Sequence, residues 1–214
     1  MINLEEHKQR LLKAYQPKHG SGEFGVKNQG RCGYCVNWSS MYLTEVSKYE
    51  SVLDVGCGNG AFCKQCAENT HIKKVYGLDA ASVTNGHTIP HDKITYFDAW
   101  SHDIPMPDKS VDVIVTCEVL EHIAEEHVGK TLQEFKRVTR YKVFGQVAMH
   151  DSCESYHDGM NAHICVKDKG WWIQRFNEAG FSVDKEGTPS NYGQGLKFTL
   201  SHPPIDKLPQ APSE

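Results

Sequence analysis

The sequence predicts an α/β fold in which a largely parallel sheet is covered by helices on both faces. Two observations predict it. From residue 51 onward, short apolar strand-like runs alternate with helix-like segments. The first three of those runs lead into Asp54, Asp79 and Asp98. In such sheets ligands bind outside the carboxyl ends of the strands.

The elements follow in order. The first fifteen residues read as a helix, with Leu4, Leu11 and Leu12 on one face, and Pro17 stops it. His19 to Gly33 holds five glycines and reads as a loop or lid. Tyr34 to Lys48 reads as a second helix, with Val36, Met41, Leu43 and Val46 as inward positions. Val52–Val55 is a short buried strand, and Ala61 to Asn69 a helix. Strands follow at Lys74–Leu78, Lys93–Phe97 and Val111–Thr116. Glu125 to Val138 is an amphipathic helix, with Val128, Leu132, Phe135 and Val138 sharing a face. Lys142–Met149 is a fifth strand. Asp168–Ala179 is a helix that Gly180 stops. Phe181–Glu186 and Leu196–Ser201 are the last two strands. The expected organisation is an N-terminal helical lid over 1–49, a main domain over 50–202 and a loose tail over 203–214.

Composition narrows the function classes. The chain has 214 residues, 39% hydrophobic and 23% charged, which excludes a disordered or collagen-like protein. Eight cysteines are too few for a disulfide scaffold. No apolar run has the length to span a bilayer, and no secretory signal is read at the N-terminus. The expected compartment is the reducing cytoplasm, with no membrane partner. A formal charge of −4 lacks the basic footprint of a nucleic-acid binder. The small cluster Lys136, Arg137, Arg140 and Lys142 reads as a solvated helix end.

The strand ends carry the chemistry. Asp54-Val55-Gly56-Cys57-Gly58-Asn59-Gly60 follows the first strand and opens a helix. Glycine there lets the backbone turn sharply and approach a ligand with no Cβ in the way. The same letters also fit a dinucleotide loop, or a tight turn with no ligand. Asp79 lies 23 residues after Gly56, where an acid accepts hydrogen bonds from ribose hydroxyls. Asp98, followed by Ala99 and Trp100, can meet an adenine edge. A helix N-cap or Asx-turn is the bland alternative for either acid.

With these residues in place, the chain resembles the class I S-adenosylmethionine-dependent methyltransferases over roughly residues 50 to 200. Val52 to Gly60 is similar to the glycine-rich first motif, Gly77-Leu78-Asp79 to the second, and Asp98-Ala99 to the adenine-contacting pair. Ile104 to Ile114 resembles the approach to the fourth strand. Glu118-Val119-Leu120-Glu121-His122-Ile123 is similar to a segment common in the small-molecule branch. His163 and Trp171 to Phe181 resemble the late helix and sixth strand. The resemblance implies a Rossmann-like sheet of seven strands with the last antiparallel, and S-adenosylmethionine as cofactor. It implies that Gly56, Cys57, Gly58 and Gly60 hold the methionine part, with Asp54 reaching its ammonium through water. Asp79 and Ala80 would take the ribose, Asp98, Ala99 and Trp100 the adenine, and Cys117 or Glu118 would offer a carbonyl to the ammonium.

Transfer to an oxygen or nitrogen also needs a base, and His122, His150 and His163 are the candidates, with His150 preferred. Amino-methylating DNA enzymes of this fold carry Asn/Asp-Pro-Pro-aromatic after the fourth strand. Here that place reads Cys117-Glu118-Val119-Leu120, so nucleobase chemistry is disfavoured and a small-molecule acceptor is expected. A protein or RNA methyltransferase, or a donor-binding module without turnover, is the alternative. No metal ligand is assigned. Cys32, Cys35, Cys63 and Cys66 form two C-x₂-C pairs that could bind zinc or simply pack as small core residues. The polar stretch His150, Asp151, Cys153, His157, Asp158 and His163 reads as a loop over the active site. Phe24, Trp38, Tyr42, Tyr156, Trp171 and Trp172 are candidates to cover the acceptor. The oligomeric state is open.

Overall fold

The computed structural model describes residues 2–14, 39–81, 86, 88–152, 155–187 and 195–202. The predicted glycine lid at 19–33, Phe24, Cys32, Cys35, Trp38 and the tail lie outside these residues. Seven strands form one sheet: β1 Ser51–Val55, β2 Lys74–Asp79, β3 Ile94–Asp98, β4 Val111–Cys117, β5 Thr139–Ala148, β6 Ser182–Gly187 and β7 Gly195–Ser201. Their order is β3-β2-β1-β4-β5-β7-β6. The first five pair in parallel, and β7 runs antiparallel to both β5 and β6. The helices are α1 Leu4–Ala14, α2 Leu43–Val46, α3 Ala61–Glu68, α4 Glu125–Val138 and α5 Lys169–Glu178. No described helix is long and apolar enough to cross a membrane.

Strand alternation sends neighbouring residues to opposite faces, and two cores result. On one face Leu53, Val55 and Ile114 pack with Leu132 and Phe135 of α4 and Trp172 and Phe176 of α5. On the other, Val52, Val113, Val115 and Phe144 pack with Phe62, Cys63 and Cys66 of α3 and with Tyr42 and Val46. Burying each large apolar side chain contributes roughly 1.5–3 kcal/mol. The helix caps agree with the sequence. Asp168 accepts from the Trp171 amide at 2.8 Å, and Gly180 has φ 79° just past α5.

Three expectations are corrected. The second helix is not continuous: among the described residues of 34–48 there is a 3₁₀ turn over Ser39–Tyr42 and then the four-residue α2. Tyr42 is drawn inward, its ring 5.6 Å from Phe144 and its hydroxyl donating to the Gly145 carbonyl at 2.7 Å. Strand β5 starts three residues earlier than predicted, because Thr139 turns extended directly after Val138 (φ −83°, ψ 137°) with no loop between. The basic cluster is only in part a helix end: Lys136 and Arg137 lie in the last turn of α4, Arg140 and Lys142 lie on β5, and all four are partnered though part-exposed. Arg137 is paired with Glu134 and Asp108, Arg140 with Asp112 and Lys142 with Asp184, while Lys136 donates to the Gly180 carbonyl.

Candidate active site

Strand order reverses at β1, whose neighbours are β2 on one side and β4 on the other, and the crevice over such a switch is where this architecture binds ligands. The glycine loop sits there. Gly56, Gly58 and Gly60 have φ of 75°, 52° and 79°, the left-handed region that other residues enter at a cost. Two of them are also hemmed in. A Cβ on Gly56 would lie 2.2 Å from Val119, and one on Gly60 2.0 Å from the Tyr96 hydroxyl. Tyr96 likewise closes the space beside Gly77, at 2.6 Å. A Cβ on Gly58 would meet nothing within 4 Å, so the loop's middle faces open space.

The acids that follow the first strands are placed differently from one another. Asp79 and Asp98 are register partners at the ends of β2 and β3, side by side along one edge. Asp79 accepts from the Gly58 amide at 3.1 Å and the Ala81 amide at 2.8 Å, so it braces the glycine loop. Ala80 separates these contacts on the chain. Asp98 pairs with Lys8 of α1 at 3.1 Å. Asp54 is buried and does not open into the crevice. The Cys63 thiol donates to it at 3.7 Å. Burial pushes its carboxyl up to about 8, against that hydrogen bond and helped by nearby Asp79. At neutral pH it is chiefly protonated.

Past β4 the chain enters a second, polar region. Burial pushes the Cys117 thiol up, which leaves it protonated. Glu118 stands at φ 57°, a strained position for a residue with a side chain. Its amide donates to the Gln146 carbonyl at 3.0 Å, and its carboxylate accepts from the Gln146 side chain at 2.6 Å. A 3₁₀ turn over Leu120–His122 follows. It delivers Glu121, fully buried, whose Oε1 accepts from the Ala148 amide at 3.1 Å. Burial, and then the neighbouring Glu118 carboxyl, raise Glu121 well above the usual carboxylate range.

All three histidines singled out from the sequence meet here. The rings of His122 and His163 are 4.9 Å apart, and those of His150 and His163 5.5 Å. His122 is pushed down to about 4, first by burial and then by His163. It is therefore neutral at pH 7, and too weak a base to serve as proton acceptor. His150, at the end of β5, is half-buried, with its Nδ1 donating to the Asp151 carbonyl at 2.8 Å.

Helix α1 lies across this end. Besides Lys8 on Asp98, Arg10 pairs with Asp158 at 2.6 Å, and His7 Nε2 donates to the His122 carbonyl at 3.3 Å. His7 is the one buried residue of α1, stacked 5.8 Å from Trp100 and edge-on to Tyr156 at 5.8 Å. The apolar face anticipated for α1 is therefore secondary to a buried histidine. Tyr156 is buried at this end, against His7 of α1. Tyr42 and Trp172 do not cover it, because both are core residues, and Trp171 lies beneath Lys167 and Arg175. Cys63 and Cys66 are buried against the sheet, and the other C-x₂-C pair, Cys32 and Cys35, is outside the described residues.

Sequence reasoning missed Glu121 and His7; it predicted α1, but not the residues on which α1 rests. Glu121 stands beside His122 in a motif it had marked, and that adjacency was the available signal. The roles of His7 and Lys8 carry no local signal, since their partners lie 115 and 90 positions away.

Residues 53–143 match the family model described as a methyltransferase domain. The chain is 34% identical over 93 residues to protein arginine N-methyltransferase 2 of Mus musculus, covering 38% of this chain and 20% of that one. It is 30% identical over 115 residues to O-methyltransferase resE of Aspergillus sclerotiorum, covering 50% and 42%. The chain thus spans less than half the length of both curated relatives. Among solved structures, an S-adenosylmethionine-dependent methyltransferase from Mesorhizobium loti superposes with a TM-score of 0.61 at 13% identity, covering 79% of this chain and 99% of that one. That likeness is one of fold.

Proposed function

We propose that this chain, which belongs to the class I S-adenosylmethionine-dependent methyltransferases and takes S-adenosylmethionine as its cofactor, transfers a methyl group to an oxygen or nitrogen of a small-molecule acceptor. The observation that carries the acceptor class is α1. Three polar contacts fasten it over the tips of β3 and β4 and the segment after β5, which favours a covered cleft over an open docking surface. The basic cluster at Lys136–Lys142 is spent on internal partners, which counts against a nucleic-acid acceptor.

The residues fit the cofactor. The open space at Gly58 admits its methionine part beside the loop, and the paired Asp79 and Asp98 suit the ribose and the adenine. Ala80, Ala99 and Trp100 flank those acids, while Cys117 or Glu118, at and just past the end of β4, would offer a carbonyl to the ammonium. Asp54, neutral in the free protein, lies beneath the loop and would ionise to face the ammonium, through water, when the donor binds. When bound, the sulfonium supplies an activated methyl group. The protein's part is alignment and exclusion of water, and positioning can lower the barrier by roughly 7 to 11 kcal/mol. His150, exposed enough to exchange a proton, takes it from the acceptor as the new bond to carbon forms.

The test is transfer of label from methyl-labelled S-adenosylmethionine into phenols, catechols and small amines, run beside an arginine-rich peptide and an RNA. Label in a small molecule is the expected result. Label confined to the peptide would move the assignment to the macromolecular class named in the mouse relative, and label confined to RNA would likewise overturn the small-molecule reading.

A further inference from the structure

We propose that Glu121, His122 and His163 bind a divalent transition-metal cation at the acceptor end of the cleft, through two imidazole nitrogens and one carboxylate oxygen. The residues come from two separate segments, the turn after β4 and the stretch after β5. One candidate ligand atom from each lies within 4.8 Å of the other two. A cation held roughly 2.0–2.2 Å from each ligand spans ligand pairs up to about 4.4 Å apart. Small side-chain movements therefore close the three onto an ion.

Both rings have one nitrogen tied to a backbone carbonyl. His122 Nδ1 is 2.8 Å from the Ala162 carbonyl, and His163 Nδ1 is 2.6 Å from the His150 carbonyl. A carbonyl oxygen only accepts, so each Nδ1 carries a hydrogen and each neutral ring keeps its lone pair on Nε2. Ligating histidines are commonly fixed in this way through their far nitrogen. His163 Nε2 faces Glu121 Oε1 at 4.0 Å, so two electron-rich atoms confront one another.

Glu121 is an independent sign of a missing positive charge. Its Oε2 is buried with no hydrogen-bond partner. The Glu118 carboxyl crowds the same place, close enough to hydrogen-bond with Glu121 when one of the two carries a proton, and a bound cation would take that proton's place. Burying a carboxylate oxygen in this way is costly unless a cation or a proton offsets it. Two imidazoles and a carboxylate suit Zn²⁺, Co²⁺ or Fe²⁺ better than Mg²⁺ or Ca²⁺, which favour oxygen ligands. Three protein ligands leave positions open. On the methyltransferase reading, an acceptor hydroxyl would take one and give its proton to His150 more readily there. Only that last step rests on the reading, and cation binding stands without it.

The test uses the full chain, cleared of metal with a chelator and titrated with Co²⁺ while its visible spectrum is recorded. One Co²⁺ per chain is expected, with the weak bands of a nitrogen–oxygen site and displacement by Zn²⁺. Glu121→Gln and His163→Asn should each weaken Co²⁺ binding by at least roughly tenfold, with binding of the demethylated donor retained as a check on folding. If Glu121→Gln fails that check, the half-buried His163 carries the comparison. Absence of binding, or binding that a folded His163→Asn leaves unchanged, overturns the proposal. So does an intense thiolate-to-cobalt band that Cys32→Ser removes, because the metal would then be on the cysteines. Cobalt binding without any methyl transfer to hydroxylated small molecules sinks the acceptor step alone.

Discussion

On the proposed reading, the donor and acceptor ends of the site are built on different principles. The donor end, at the tips of β1, β2 and β3, is made of backbone and carboxylates: three left-handed glycines and two acids in register. The acceptor end, past β4 and β5, is made of histidines and buried glutamate drawn from residues 7, 121, 122, 150 and 163. The first is local in the chain and stiff. The second is assembled from afar, and its properties depend on which groups meet. A change at the donor end should therefore act on stability and donor affinity together, and one at the acceptor end on turnover with little effect on donor affinity.

The largest effect on stability should come from Gly60→Ala. The new Cβ collides with Tyr96 in a left-handed backbone, and we expect about 2–4 kcal/mol of lost stability in urea unfolding, as for other strained and overpacked positions. Gly58→Ala pays only the backbone penalty, about 1–2 kcal/mol. Equal losses would mean that Tyr96 yields and the loop is softer than it looks. Next, Asp79→Ala should weaken donor binding by about 1.5–3 kcal/mol in calorimetry, as for hydrogen bonds to a charged group. His150→Ala should leave that affinity unchanged and reduce turnover about 10²–10⁴-fold if it is the base. An equal fall in donor affinity would erase the distinction between the ends.

Asp54 gives a pH signature. Its carboxyl, near 8 in the fold and near 4 unfolded, holds a proton in the native state that the unfolded chain lacks across that window. Its contribution to stability is therefore greatest at low pH and is lost as pH rises towards 8. The donor's ammonium, binding nearby, should ionise it and release up to about one proton per chain at pH 7. Calorimetry in buffers of different ionisation enthalpy reads this directly, and Asp54→Asn should abolish it. The smallest effect is expected from Lys8→Ala, at most about 1 kcal/mol of stability, since its partner is part-exposed. A rise in acceptor KM with little change in Tm would confirm α1 as cover.

The donor end was legible in the sequence because strand, glycine loop and acid lie within short stretches whose periodicity and turn residues speak for themselves. The same holds for α4 and α5, down to the Asp168 cap. The acceptor end was legible only in part. His122, His150 and His163 stood out as titratable groups, but nothing local says that they converge, or that Glu121 is buried between them. The segment before β1 misled for a related reason. Its apolar spacing suits a helix, yet Tyr42 gains more by reaching the Gly145 carbonyl in the core than by continuing a helical turn.

One phenol ring has a reach beyond its own strand. Tyr96 fills the room that side chains at Gly60 and Gly77 would require. At Gly60 the backbone angle demands glycine in any case, but Gly77 shows no such angle. Its bareness is imposed by a neighbour rather than by its own conformation. Cys57 Sγ lies 2.9 Å from the same point, so a sequence that trims the ring to a small aliphatic residue should tolerate alanine at 77 once that thiol also gives way, and the three positions ought to change together.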